Sequence, residues 1–104
     1  MNMKLKRKFR SHQEKLLMDL RDPEFADAYL NEALLGEDPR LFLVAFKNVT
    51  QAQGLEMTEL ARLTNLSRVN LYRMLSKKGN PKFVNMISLL NAAGYSISVN
   101  ANKK

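Results

Sequence analysis

Residues 56–76, which read EMTELARLTNLSRVNLYRMLS, decide the fold of this chain of 104 residues. The stretch predicts two short helices joined by a tight turn, because apolar residues recur at helical spacing on both sides of Asn65. Asn65 suits a turn position with positive φ, and Ser67 can cap the second helix by accepting a hydrogen bond from a free backbone N–H. The expected inward positions are Leu60, Ala61, Leu63, Leu66, Leu71, Met74 and Leu75. This pattern is typical of a helix-turn-helix.

The second of these helices carries basic and polar residues between its apolar positions. In a helix-turn-helix that binds DNA, the start of the second helix reaches base edges in the major groove, and flanking groups contact phosphates. Arginine can form two hydrogen bonds to a guanine, and asparagine two to an adenine. The candidate DNA-binding residues are Ser67, Arg68, Val69, Asn70, Tyr72, Arg73, Lys77 and Lys78. The alternative for each is an ordinary solvated helix face, and the ring of Tyr72 could instead pack inward.

The net charge of +7 is distributed unevenly along the chain. Residues 1–10 hold five basic side chains and no acid, residues 11–59 hold all ten acids against four bases, and residues 60–104 hold eight bases and no acid. The basic C-terminal part favours attraction to phosphates, and the acidic middle opposes it, so we expect two surfaces with different partners. The alternative is that these charges only solvate the surface. The basic arm could contact DNA phosphates or the minor groove, or could be a disordered tail.

Two helices are expected before the helix-turn-helix. Asp22 can cap the first helix and Pro23 can begin it, and this helix should stop at Gly36. Asp38 can likewise cap a second helix that begins at Pro39 and ends near Gly54. Helical spacing places four residues of the second on its buried face, and these are Phe42, Ala45, Phe46 and Val49.

A further helix and a strand are expected after it. Gly79 and Asn80 can take unusual φ values in a turn, and Pro81 can open a helix that ends at Gly94. The expected buried face of that helix consists of Phe83, Val84, Met86, Ile87 and Leu90. Residues 95–99 then alternate apolar and polar residues, which predicts a half-buried strand. Because the chain offers this strand no partner, we expect Tyr95, Ile97 and Val99 to mediate pairing with a second copy or with another protein's sheet; the alternative is an extended tail.

Enzymatic and metal chemistry find little support in the sequence. The chain has no cysteine, His12 is its one histidine, and no glycine-rich phosphate loop is present, so we expect no catalytic residue, no metal site and no cofactor. No apolar run approaches the ~20 residues that span a bilayer, and the basic start does not continue as a signal peptide. We therefore expect a soluble cytoplasmic protein with a basic arm at residues 1–21 and one helical domain at residues 22–100.

Taken together, the chain resembles the probable addiction-module antidote family, HigA-type antitoxins with an Xre-like helix-turn-helix. The resemblance rests on DP, AYLNEAL and EDPRLFLVAF, on LSR-x-NLYR-x-LS-x-x-GNP at residues 66–81, and on AAGYSISV. It implies a mainly α, five-helix-type, lambda-repressor-like domain with a short C-terminal β-strand. It further implies a dimeric repressor of its own operon that neutralises a RelE/ParE-like toxin. By that analogy Ser67, Arg68, Asn70 and Arg73 read the DNA, although Asn65 stands where a turn glycine is common.

Such toxins tend to be basic, so the acidic middle segment would complement them. We therefore expect Glu32, Glu37 and Asp38 to bind the toxin while the C-terminal half binds an operator in double-stranded DNA. Two alternatives remain: a stand-alone Xre-like regulator without a toxin, and a protein-interaction or RNA-binding module that has lost operator recognition.

Overall fold

A computed structural model describes residues 12–102, which contain six helices and no strand. The first, α1, covers residues 12–19 of the described range. The others are α2 (Pro23–Leu35), α3 (Leu41–Ala52), α4 (Met57–Thr64), α5 (Arg68–Met74) and α6 (Phe83–Ala92). The mainly helical fold is thus confirmed. Residues 1–11 of the predicted arm lie outside the described residues, and Leu20, next to α1, is buried in the core.

Helix α2 begins as its sequence predicts. The carboxylate of Asp22 accepts a hydrogen bond from the Glu24 N–H at 3.1 Å, and Pro23 is the first helical residue. Helix α3 begins two residues later than expected, because residues 38–40 form a separate turn in which the Asp38 carboxylate accepts the Arg40 N–H at 3.0 Å. The Asp38–Pro39 sequence therefore forms the turn before α3 and not the start of the helix itself.

The core is built around α3, which packs against α2. All four residues of its predicted inward face are buried, and Phe46 and Val49 are fully so. The rings of Phe42 and Phe46, one helical turn apart, stack at a centroid distance of 6.3 Å. Between the two helices, the Asn48 side-chain amide donates to the Tyr29 hydroxyl at 3.0 Å. Helices α2 and α3 are thus held together by apolar packing and by this hydrogen bond.

Helices α4 and α5 are joined by the turn 65–67, as the sequence predicts. Asn65 has φ of 60°, and the Ser67 hydroxyl accepts the Asn70 N–H at 3.1 Å. Leu60 and Leu71 are fully buried, so the two helices share an apolar contact. The prediction for Leu63 was wrong: 47% of its surface is exposed, because only one side of the short α4 meets α5 and α6.

The loop from α5 to α6 turns closely around the end of α5. A Cβ on Gly79 would lie 2.8 Å from the Met74 carbonyl carbon and 3.0 Å from the Arg73 carbonyl oxygen. Gly79 does not have positive φ, so the reason for glycine is this close approach and not the unusual φ that we expected. The predicted inward positions Phe83 and Val84 were also wrong, being 68% and 72% exposed, because the buried part of α6 lies further on at Leu89 and Leu90.

Helices α3 and α6 end in the same way. Gly54 and Gly94 have positive φ, and the N–H of the following residue bonds back to a carbonyl in the last turn, Leu55 to Thr50 and Tyr95 to Leu90. Gly36, which ends α2, has φ of −72° and is not a left-handed cap.

The predicted strand at residues 95–99 was wrong for the single chain. Those residues have no regular secondary structure, and among residues 12–102 their backbone meets no neighbouring strand. A strand exists only through hydrogen bonds to another strand, and the rest of the described chain is helical.

Candidate nucleic-acid interface

Helix α5 presents most of its polar residues to solvent. Leu71 faces inward and is fully buried, and the remaining side is exposed, including Val69 at 68%. The eight predicted DNA-binding residues, Ser67, Arg68, Val69, Asn70, Tyr72, Arg73, Lys77 and Lys78, are all exposed. The first six lie on α5 or at its cap, and the two lysines lie in the loop that follows. The major groove of DNA is wide enough to admit an α-helix, and arginine and asparagine are side chains that can bond to base edges there.

The two arginines of α5 are free to bind an external partner. The described residues form two ion pairs, Asp38 with Arg40 and Glu59 with Arg62, and neither involves Arg68 or Arg73. The guanidinium of Arg62, in contrast, donates to the Glu59 carboxylate at 3.0 Å, and this hydrogen bond lowers the pKa of Glu59. The Arg62 charge on α4 is therefore compensated, whereas no ion pair in the described part of the chain compensates the arginine charges of α5.

Lys47 of α3 joins this surface, which sequence reasoning did not foresee. Its ammonium lies 5.4 Å from the centroid of the Tyr72 ring, a cation–π arrangement that links α3 to α5. The Tyr72 ring thus lies against Lys47 and stays 47% exposed, so it neither packs fully inward nor projects freely. Lys47 belongs to the acidic stretch of the sequence, and only the packing of α3 shows where its charge lies.

A groove of about 420 Å³ lies beside these residues, between the end of α3 and the beginnings of α4 and α5. Lys47 and Arg68 supply its basic side chains, and Glu56 its acidic one. Glu56 stands at the N-cap of α4 without a side-chain hydrogen bond, so the first N–H groups of α4 have no side-chain acceptor there. Such a groove can accept an oxygen-rich anionic backbone.

The predicted toxin-binding acids lie around the α2–α3 turn. Glu32 and Glu37 are exposed, as are the apolar side chains Leu35, at 86%, and Leu41, at 44%. Asp38 differs, because its hydrogen bonds with Arg40 lower the pKa of its carboxyl, and Lys77 lowers it further. The carboxylate of Asp38 is thus held within its own turn and lies near the basic loop.

The predicted dimerisation residues differ in exposure. Tyr95 packs against the core, and burial together with the nearby charge of Asp27 raises its pKa. Ile97 and Val99 are 47% and 93% exposed. Tyr95 therefore anchors the C-terminal segment, and two apolar side chains beyond it meet solvent.

No group of acidic or histidine side chains within residues 12–102 is arranged to hold a metal ion. None of the helices in that range combines the length and apolar character needed to cross a membrane.

Comparisons with known proteins identify a family and one relative of similar length. The family model described as "Probable addiction module antidote protein" matches residues 13–101. A protein of Haemophilus influenzae (strain ATCC 51907 / DSM 11121 / KW20 / Rd), described as "Uncharacterized protein", is 31% identical over 84 residues, which cover 81% of this chain and 84% of that relative. No solved structure matches the chain significantly.

Proposed function

The chain belongs to the family of probable addiction module antidote proteins, and on this premise we propose that it is a DNA-binding repressor and the antitoxin of a type II toxin–antitoxin module. In this proposal it is a HigA-type protein with an Xre-like helix-turn-helix that acts in the cytoplasm without enzymatic activity or cofactor. Its partners are a double-stranded operator and a RelE/ParE-like toxin. Family membership supports the antitoxin role, and the surface of α5 supports DNA binding.

The observation that carries DNA binding is the exposed, uncompensated pair Arg68 and Arg73 on a helix that a serine caps. Arg68, Asn70 and Arg73 would read base edges, and Val69 would touch a thymine methyl group. Ser67, Tyr72, Lys77, Lys78 and Lys47 would hold the phosphates of the flanking backbone. A single helix of this kind reads few base pairs, so operator recognition calls for two copies about 34 Å apart.

Lys77→Ala is expected to weaken binding by a similar factor to every duplex sequence. Lys77 is exposed in the loop after α5, where it would neutralise a phosphate and release a counterion. The slope of log affinity against log salt concentration should fall by about one. Fluorescence anisotropy at several salt concentrations, with one specific and one unrelated duplex, measures this. A loss confined to the specific duplex would show that Lys77 reads bases.

The toxin is proposed to bind the acidic and apolar surface at the α2–α3 turn. Glu32 and Glu37 supply negative charge there that no ion pair within residues 12–102 neutralises, and Leu35 and Leu41 supply exposed apolar surface. Electrostatic complementarity between this surface and a basic toxin would guide the encounter. Asp38 would contribute through the shape of the turn, because Arg40 already holds its carboxylate.

Reversing the charge of Glu32 or Glu37 to lysine is expected to slow association with the toxin and to weaken the complex. The loss per residue should be about 3- to 10-fold at low salt and smaller at high salt. Asp38→Lys belongs in a separate measurement, since it also removes a hydrogen bond to the backbone. The matched control is Glu24→Lys, an exposed acid at the other end of α2. Unchanged affinity in both test variants would show that the toxin binds another surface of the chain.

Co-expression with the product of the reading frame beside this gene tests the antitoxin role itself. We expect the neighbour alone to arrest growth, and we expect this chain to restore growth and to co-purify with it. A harmless neighbour, together with sequence-specific DNA binding, would identify a stand-alone Xre-like regulator. Absence of both activities would point to an interaction module.

A further inference from the structure

A second groove, of about 550 Å³, lies between helix α2 and residues 95–98. Its lining includes Leu30, Phe42 and Leu90, which also belong to the buried core. Two further lining residues, Leu34 of α2 and Ile97, are 53% and 47% exposed. The groove takes no lining residue from α4 or α5, so it is separate from the proposed DNA surface. It therefore offers apolar surface to a partner other than the duplex.

The charge of this groove is negative. Asp27 is the one charged side chain that residues 12–102 contribute to its lining, and neither ion pair in that range involves it. The Asn31 amide donates to the Asp27 carbonyl at 2.9 Å and not to its carboxylate. Helix α2 carries three acids and no base, and residues 83–102, which supply the opposite wall, carry no charge. The groove therefore attracts cationic groups and repels phosphates.

Tyr95 on the opposite wall gives the groove a second polar group. Its N–H donates to the Leu90 carbonyl at 2.8 Å, which fixes the start of the C-terminal segment. Burial raises the pKa of the Tyr95 hydroxyl, and the charge of Asp27 raises it further, so the carboxylate acts on this hydroxyl across the groove. The hydroxyl can donate to a carbonyl of a partner, and the carboxylate can accept from an ammonium or a guanidinium.

We propose that this groove binds an apolar segment of the toxin that carries one lysine or arginine, with the basic side chain at Asp27 and the apolar side chains between Leu34 and Ile97. The inference rests on the proposed antitoxin function. Asp27, Asn31 and Leu34 follow one another at helical spacing, so they form one stripe of α2. That stripe ends beside Leu35, in the surface proposed above for the toxin. The α2–α3 turn and the groove then form one continuous interface.

Charge favours the toxin over a second copy of the chain as the occupant. A two-fold contact through this groove would bring the acidic α2 of one copy toward the acidic α2 of the other, because the same patch must serve both copies. A basic toxin brings the opposite charge, which steers the encounter and can compensate Asp27.

Titration calorimetry of the full chain with the product of the neighbouring reading frame tests the charged contact. Asp27→Lys is expected to lower the affinity about tenfold or more, because it removes the partner of a basic side chain and adds a like charge. Glu24→Lys is the matched control, since Glu24 is an exposed acid of the same helix that does not line the groove. The difference between the two variants should persist at high salt, because salt screens a contact inside the groove less than a surface charge.

Ile97→Asp tests the apolar contact. It is expected to lower the affinity about tenfold or more, because a carboxylate would meet the apolar side chains of the partner. Val99→Asp is the matched control, since it makes the same substitution two residues further along, at a side chain that is 93% exposed and does not line the groove. Circular dichroism confirms that each variant is folded, and sedimentation equilibrium of each variant alone measures self-association.

The outcomes separate this inference from the proposed function, because growth arrest by the neighbour is measured beside binding. If a toxic neighbour binds Asp27→Lys and Ile97→Asp as tightly as the unmodified chain, the inference is overturned and the antitoxin role stands. It is also overturned if these variants change only self-association, since the groove then holds a second copy. A neighbour that binds through the groove but never arrests growth would support the inference and refute the antitoxin role. No binding at all would overturn both.

Discussion

Arg68→Ala and Arg73→Ala are each expected to lower the affinity for the specific duplex by about 5- to 150-fold, which corresponds to the ~1–3 kcal/mol of a bidentate arginine–guanine contact. Affinity for unrelated duplexes should fall much less, because the loss of one charge there removes only a phosphate attraction. The ratio of specific to unrelated affinity is therefore the quantity to measure, by anisotropy at fixed salt concentration.

Arg62→Ala is the matched control for this prediction. It removes the same charge from the neighbouring helix, but the Arg62 guanidinium already pairs with Glu59. We expect its specificity ratio to equal that of the unmodified chain. Equal losses in all three variants would mean that α5 supplies only general positive charge, and the proposed reading of bases would be wrong.

Gly79→Ala is expected to destabilise the fold by roughly 3 kcal/mol, at the upper end of the cost of overpacking. The added Cβ would overlap the Met74 carbonyl, which belongs to the backbone and cannot rotate away. Either the end of α5 or the loop that carries Lys77 must move, so DNA binding should weaken as well. Urea unfolding followed by circular dichroism measures the change in the free energy of unfolding.

Gly36→Ala provides the comparison at a second glycine that follows a helix. Its φ of −72° suits alanine, and the nearest atom to the added Cβ would be the Ala33 carbonyl oxygen at 3.7 Å. We expect its free energy of unfolding to change by less than about 1 kcal/mol, and it could rise because alanine restricts the unfolded chain. A similarly small effect at Gly79 would contradict the close approach described for that loop.

Local chemistry made the α4–α5 unit predictable from sequence. The positive φ of Asn65 and the cap at Ser67 each depend on residues within one turn of each other, so no tertiary information was needed. The same holds for the start of α2 at Asp22 and Pro23. The exposure of the predicted DNA-binding residues was predictable as well, because burial of Leu71 on one face of α5 leaves the opposite face in solvent.

Features that depend on distant packing were not predictable in this way. Leu63 and Phe83 fit helical stripes, yet both side chains stay exposed, because short helices bury only the part that a neighbour covers. The contact of Lys47 with Tyr72 depends on how α3 and α5 cross. The strand prediction failed for a related reason. An alternating pattern shows which side chains would share a face of a strand, but it does not supply the neighbouring strand that the hydrogen bonds require.

Selection of binding sites from a random duplex library tests the central claim most directly, with the full chain and its folded Arg68→Ala/Arg73→Ala double variant run side by side. We predict that the full chain enriches an inverted repeat whose half-sites lie about 10 base pairs apart, and that the double variant enriches no motif. No enrichment by the full chain, or the same motif from both proteins, would contradict the claim that the arginines of α5 read DNA sequence.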